Sequence, residues 1–168
     1  MYKKVLYKKA YRMLENLTPL KYDCGLLCQS KCCSGDSNAG MCLFPGEEIM
    51  FEKNNDFLTI RKEKLAGTDV LFAVCNGTCK RKFRPLSCRI YPYVPHLDKS
   101  GMLTIIEDPR AKYQCPLLIK SLEFKFDKMF QRNLYRTFQL LIQDSDIRDF
   151  LHVFSGVLDE YRRFVGDA

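Results

Sequence analysis

Apolar side chains recur at helical spacing over the first seventeen residues of the chain. If these residues are helical, the apolar positions fall near one stripe and the polar positions lie around the other side. The stripe contains Tyr2, Leu6, Met13, Leu14 and Leu17, and the other side contains Lys4, Lys8, Arg12 and Glu15. Because Pro19 cannot continue a helix, the pattern predicts an amphipathic helix within residues 1–20.

The same periodicity is clearest in the last third of the chain. One apolar face contains Leu122, Phe126, Met129, Phe130, Leu134, Phe138 and Leu141. Asp144 and Ser145, either of which can cap a helix, separate this run from a second one. The second face contains Ile147, Phe150, Leu151, Phe154, Leu158 and Tyr161. Two such helices in succession predict a C-terminal helical hairpin in residues 118–168, with both apolar faces in the core.

Between these helical regions, short runs of β-branched and aromatic residues are typical of strands. The runs cover residues 57–60, 70–74, 89–94 and 102–106. The turn signal at residues 98–101 predicts that the last two strands form a hairpin. Pro45, followed by Glu47 and Glu48, predicts the start of a short helix. We therefore expect one α+β domain over residues 1–168, with a small antiparallel sheet.

Nine cysteines are the most unusual feature of the composition. A first cluster contains Cys24, Cys28, Cys32 and Cys33, a second contains Cys75, Cys79 and Cys88, and Cys42 and Cys115 stand apart. Closely spaced cysteines are typical of metal sites or of disulfide frameworks. An odd number leaves one thiol over in a disulfide framework, and the chain shows no signal-peptide pattern. These features favour a cytoplasmic protein with a thiolate-bound metal, because disulfides are rare in the cytoplasm.

The spacing in the first cluster suits metal ligation. Cys24, Cys28 and Cys32 recur every fourth residue, which on a helix would place them along one face. The neighbours Cys32 and Cys33 diverge on a helix or a strand, so both would serve one tetrahedral ion only from an irregular loop. We therefore expect residues 21–117 to form a cysteine-rich, metal-tied core with irregular backbone.

The second cluster is surrounded by cations. An Asn-Gly turn would bring the sulfurs of Cys75 and Cys79 within reach of one ion. Five Lys or Arg residues lie between positions 80 and 89, and positive charge beside a thiol favours the thiolate that a metal needs. Cys42 matches neither cluster and is expected to be a small buried core residue.

The formal charge of +7 invites a nucleic-acid interpretation. If eight cysteines bound two Zn²⁺ as thiolates, eight protons would leave and two divalent ions would arrive, so the charge would fall to about +3. The basicity is then largely a partner for the sulfur charge. We expect a metal ion as the partner and favour neither nucleic acid nor a membrane, since no apolar run is long enough to cross a bilayer.

The doubled cysteine, the run Arg84-Pro85-Leu86-Ser87-Cys88-Arg89-Ile90-Tyr91-Pro92 and the later Cys115-Pro116 together resemble the YkgJ-type CxxCxxCC domain family, described as zinc- or iron-chelating. The resemblance covers residues 23–117, although this chain has three residues between its first cysteines where the family pattern has two. It implies that the metal ligands come from Cys24, Cys28, Cys32, Cys33, Cys79, Cys88 and Cys115, with Cys75 beside them.

The residues leave several functions open. Zinc and an iron–sulfur cluster both accept four cysteines, so the sequence does not choose between them. The family's domain also occurs in flagellin lysine N-methylases, which raises an enzyme that uses S-adenosylmethionine. A zinc-ribbon-like nucleic-acid module using residues 80–89 and a thiol redox sensor at Cys32 and Cys33 are further alternatives. We expect His96 at the surface and His152 partly buried in packing, neither as a ligand.

Overall fold

The computed structural model describes residues 2–33, 40–51, 56–77, 81–119 and 124–165. The α-helices of this part are α1 (Tyr2–Met13), α2 (Gly25–Cys28), α3 (Leu86–Ile90), α4 (Lys128–Leu141) and α5 (Ser145–Val165). The strands are β1 (Gly40–Cys42), β2 (Leu58–Leu65), β3 (Thr68–Cys75), β4 (Tyr93–Leu97) and β5 (Leu103–Glu107). Three strands form an antiparallel sheet in the order β1-β3-β2, and β4 pairs with β5. The predicted α+β class is confirmed.

The predicted N-terminal helix and the two C-terminal helices are present. Asp127 caps α4 by accepting a hydrogen bond from the Met129 N–H at 2.7 Å, and Asp144 caps α5 by accepting from the Ile147 N–H at 3.3 Å. α4 therefore begins later than the apolar pattern suggested; Leu122 lies outside the described residues, and Met129 is exposed. α4 packs against α1 and β5, whereas α5 packs mainly against β4. The two helices of the expected hairpin are thus held largely by other elements.

Three of the four predicted strand runs are present, although β2 extends to Leu65, and β1 was not predicted. The β4–β5 hairpin is confirmed, and Asp98 closes its turn by accepting hydrogen bonds from the backbone N–H groups of Ser100 and Met102. The predicted strand at residues 89–94 is wrong in its first half, because α3 occupies Leu86–Ile90 and β4 starts only at Tyr93. Pro85, directly before α3, suits a helix start. The short helix predicted near Pro45 is a 3₁₀ turn at Glu47–Met50.

The apolar faces meet in one main core and one small cluster. The main core combines buried side chains of α1, α4 and α5 with those of the strands and α3. The small cluster contains Leu20, Ala111, Cys115 and Leu117. None of the described helices combines the length and apolarity that a membrane crossing requires. The small cluster adjoins the cysteines, so most of the core is built without them.

A carboxylate is buried within the main core. The Glu47 side chain is fully buried, and its two oxygens accept hydrogen bonds from Tyr11 Oη at 2.6 Å, the Leu86 N–H at 2.6 Å and the Phe44 N–H at 3.0 Å. Burial raises the pKa of Glu47, while these donors and the nearby charge of Arg89 act to lower it. One side chain thereby joins α1, the segment after β1 and the first turn of α3.

Replacing this carboxylate should destabilise the fold. In Glu47→Gln the amide –NH₂ would face donors instead of accepting from them, so we expect the free energy of unfolding to fall by about 1–3 kcal/mol. Urea unfolding of the reduced protein measures the loss. Glu48→Gln is the matched control, because Glu48 is exposed, and a surface change should stay within about 0.5 kcal/mol. Equal losses of unfolding free energy in the two variants would contradict a stabilising role for the buried hydrogen bonds of Glu47.

The raised pKa of Glu47 also sets a pH dependence. A carboxyl group whose pKa is higher in the folded than in the unfolded state stabilises the fold most below its ordinary value of 4.5, and this contribution is lost as pH rises through the folded-state pKa. The stability difference between the wild type and Glu47→Gln should therefore narrow as pH rises from the ordinary value toward neutrality. Urea unfolding at several pH values tests this, and a widening difference would contradict it.

Candidate metal centre

Five cysteines from three separate segments line one cavity. Cys24, Cys28 and Cys32 come from the region of α2, Cys88 lies on α3, and Cys115 directly precedes a 3₁₀ turn at Pro116–Leu118. The cavity volume is about 30 Å³, which is room for an ion or for one or two water molecules. The structure thus brings Cys88, which the sequence pattern grouped with Cys75 and Cys79, to the first cluster instead.

The backbone around α2 turns the first three cysteines toward the same place. Cys24 and Cys28 lie one turn apart, and the Cys28 sulfur is 3.9 Å from the Cys24 carbonyl oxygen. Gln29 and Ser30 follow with φ of 51° and 55°, a left-handed conformation that is rare outside glycine. Two successive residues of this kind redirect the chain, so Cys32 returns to the cavity that Cys24 and Cys28 already line.

The doubled cysteine has a geometry that the sequence analysis did not expect. Cys32 and Cys33 lie on a 3₁₀ turn, Lys31–Cys33, and their sulfur atoms are 4.0 Å apart. Two sulfurs that bind one tetrahedral zinc at 2.3 Å are about 3.8 Å apart. A tight helical turn, and not only an irregular loop, thus places neighbouring cysteine sulfurs at nearly the separation that a shared ion needs.

Cations form another part of the cavity wall. Arg81, Arg84 and Arg89 all line it. Arg89 is only 3% exposed; its guanidinium lies 4.6 Å from the centre of the Tyr11 ring and donates hydrogen bonds to the carbonyls of Arg84 at 2.9 Å and Lys82 at 2.6 Å. Its Nη1 is buried without a hydrogen-bond partner in the described part of the chain. The wall therefore offers positive charge and an N–H donor to a negatively charged occupant.

Burial and the positive charge of nearby arginines both shift the pKa values of thiols at this site. Burial raises the pKa of Cys24 and of Cys115, and on Cys24 the positive charges of Arg81 and Arg84 oppose this effect. At the doubled cysteine, the hydrogen bond from Cys32 lowers the pKa of Cys33 to about 6, and the same contact raises the pKa of Cys32. The site therefore contains thiols that differ in how readily they become thiolates.

The remaining cysteines lie elsewhere. Cys75, at the end of β3, lines a separate groove beside Phe57 and Asn76, and its sulfur is 3.3 Å from the Gly77 N–H that donates to it. Cys42 on β1 packs against the main core as expected but is only half-buried, whereas the sequence predicted a buried residue. The predicted candidate Cys79 lies outside the described residues.

The described part of the chain contains no group of three or more Cys, His, Asp or Glu side chains close enough to hold one ion. The thiols share a cavity but do not stand at ligand distances from a common point.

The environments of the two histidines are the reverse of those expected: His96 is 13% exposed and its Nε2 lies 2.9 Å from Asp159 Oδ1, whereas His152 is exposed. Neither histidine is among the residues that line the cysteine cavity, so the candidate ligands there are sulfur atoms.

Sequence reasoning missed the residues that support the site. Glu47 was interpreted only as an acid at a helix start. Tyr91, whose hydroxyl donates to Gln114 Oε1 at 3.2 Å, was not assigned to the cysteine cavity, although Tyr91 and Gln114 both line it. The run from Arg84 to Pro92 was a usable signal, because its Arg89 and Tyr91 both reach this cavity.

No protein-family model matches the chain, and searches of curated proteins and of solved structures find no match to it.

Proposed function

We propose that this is a cytoplasmic metal-binding protein whose cysteine centre holds zinc or iron, including an iron–sulfur cluster. One observation carries the proposal: five cysteines from three separate segments of the chain line one cavity of ionic size. The ligands would come from Cys24, Cys28, Cys32, Cys88 and Cys115, with Cys33 adjoining Cys32. Membership of the YkgJ-type chelating family is part of the same proposal.

The chemistry of the cavity wall supports a thiolate centre. Cysteine sulfur is a soft ligand that suits zinc and iron–sulfur clusters. Four thiolates around one divalent ion carry a net charge of about −2, which would be costly to bury without cations. Arg81 and Arg89 are buried or half-buried beside the sulfurs, so they would offset this charge. A bound metal would supply either a tie between segments or electron transfer, depending on its identity.

The position of the cysteines favours a local structural effect of the metal. Cys115 belongs to the small apolar cluster, and Cys24 packs against that cluster. A cluster with so few buried side chains contributes little stability by itself. A metal that joins Cys24, Cys88 and Cys115 would hold the α2 region and the segment before Pro116 against α3.

The cysteine cavity supports the alternative functions less well. S-adenosylmethionine is a ligand of the size that usually occupies a pocket of about 300–1,000 Å³, whereas the cysteine cavity has about 30 Å³, so a methylase would need a second site. A zinc-ribbon-like module would present the cations of residues 80–89 to phosphates. Arg89 is instead buried, and Arg81 donates a hydrogen bond to the Leu17 carbonyl.

Replacing single cysteines by serine should show which thiols bind the metal. We expect Cys88→Ser and Cys115→Ser to lose most of the zinc or iron that the wild-type protein retains after anaerobic purification, because serine is a poor ligand for these soft sites. Elemental analysis with an absorption spectrum measures the metal and distinguishes iron–sulfur from zinc.

The matched controls for this experiment are Cys42→Ser and Cys75→Ser, which remove a thiol outside the cavity. Both variants should retain the wild-type amount of metal. A folded wild-type protein without zinc or iron would overturn the proposal, and so would equal metal loss in all four variants.

Chelation should open the protein locally. Because the main core is built almost entirely without the cavity cysteines, we expect metal removal to increase amide hydrogen exchange in residues 23–33 and 111–119 while the protected amides of α4 and α5 stay slow. Hydrogen-exchange mass spectrometry before and after chelation measures the change. Unchanged exchange in both cysteine segments would show that the metal does not join them.

A further inference from the structure

The positive charge of the chain is concentrated on two helices that pack against each other. α1 carries five Lys or Arg residues, α4 carries three, and neither helix contains an Asp or Glu. The whole chain has 27 Lys and Arg against 20 Asp and Glu. Subtracting the eight cations of these helices leaves 19 cations against 20 acids, a sum of −1. The α1–α4 pair therefore carries a formal charge of +8, while the rest of the chain, which includes the arginines beside the thiols, sums to −1.

These cations lie on the outer faces of the two helices. Both helices bury their apolar faces in the main core, and α1 packs directly against α4. The exposed cations of the pair are Lys8, Lys9, Arg12, Lys128, Arg132 and Arg136. None of these six forms an ion pair with a carboxylate in the described residues. We name this surface, formed by the outer sides of α1 and α4, the basic face.

The spacing on the basic face suits a repeating anion. Lys128, Arg132 and Arg136 follow one another at four-residue intervals, so they are about 6 Å apart along the α4 axis. On α1, Lys8 and Arg12 have the same interval. A row of cations without interspersed acids attracts a polymer of negative charges more strongly than it attracts a single small anion, because every contact releases a counterion.

Exposed aromatic residues accompany the cations. Tyr2 is 61% exposed on α1, and Tyr135 is 41% exposed on α4 between Arg132 and Arg136. Tyrosine rings beside a basic track are the groups on which unpaired bases stack. A membrane fits less well, because interfacial helices insert an apolar face into the lipid, and here most apolar side chains of α1 and α4 are buried in the core, with Val5 and Met129 exposed.

We propose that the basic face binds single-stranded nucleic acid through its phosphate backbone, independently of base sequence, with Tyr2 and Tyr135 as stacking positions. This partner is separate from the proposed metal centre and differs from the expectation of the sequence analysis, which considered only residues 80–89. Failure of this proposal would leave the metal proposal unaffected.

Fluorescence anisotropy tests the basic face with a labelled, mixed-sequence single-stranded RNA of about 20 nucleotides, longer than a typical single-module site. The logarithm of the affinity of the purified full chain should fall linearly with the logarithm of the salt concentration. Lys8→Gln/Arg132→Gln/Arg136→Gln should flatten the slope by about 2, because each lost phosphate contact accounts for roughly 0.7 on a single strand. Each single substitution should flatten it by about 0.7.

The matched control, Lys62→Gln/Lys99→Gln/Arg163→Gln, changes the net charge equally at exposed positions outside both helices. It should keep the wild-type slope within about 0.7, the value of one contact. Equal flattening in both triple variants would overturn the proposal, because the effect would then be that of net charge. Absence of RNA binding at low salt would also overturn it, as would binding to vesicles of anionic lipid without binding to RNA.

Discussion

The buried carboxylate of Glu47 is the interaction on which the rest of the structure depends. A fully buried acid is costly unless donors surround it, and three donors from α1, the segment after β1 and α3 do so here. These segments are remote in sequence, and the hydrogen bonds leave α3 little freedom relative to α1. Because Arg89 lies on α3 and stacks against Tyr11, which itself donates to Glu47, the same network also fixes a cation beside the sulfurs.

The candidate metal centre follows from that placement. Once α3 is held against α1, Cys88 reaches the cavity that Cys24, Cys28 and Cys115 also line. The surrounding arginines have their polar groups directed inward, toward backbone carbonyls and the cavity, so they serve the site rather than the surface. The net positive charge of the chain resides elsewhere, on α1 and α4. The protein thus separates its cations into an inner group beside sulfur and an outer group that faces solvent.

Much of the fold could be predicted from local periodicity, and much of the site could not. The apolar stripes of α1, α4 and α5 have the helical period, and the 98–101 turn has its own residue chemistry, so these elements were predictable. Nothing in the sequence around Glu47 distinguishes it from the exposed Glu48, because burial is a property of the assembled core. The grouping of Cys88 with Cys75 failed for the same reason: nearness in sequence suggested one cluster, but α3 directs Cys88 to another.

The identity of the atoms bound to the metal decides whether the cysteine cavity is the binding site, and X-ray absorption at the zinc or iron edge of the anaerobically purified protein measures it. For zinc, we expect the nearest ligand atoms to be sulfur, about four of them at about 2.3 Å. Nearest neighbours consisting only of nitrogen or oxygen at about 2.0–2.1 Å would contradict it, because the metal would then be bound somewhere other than the cysteine cavity.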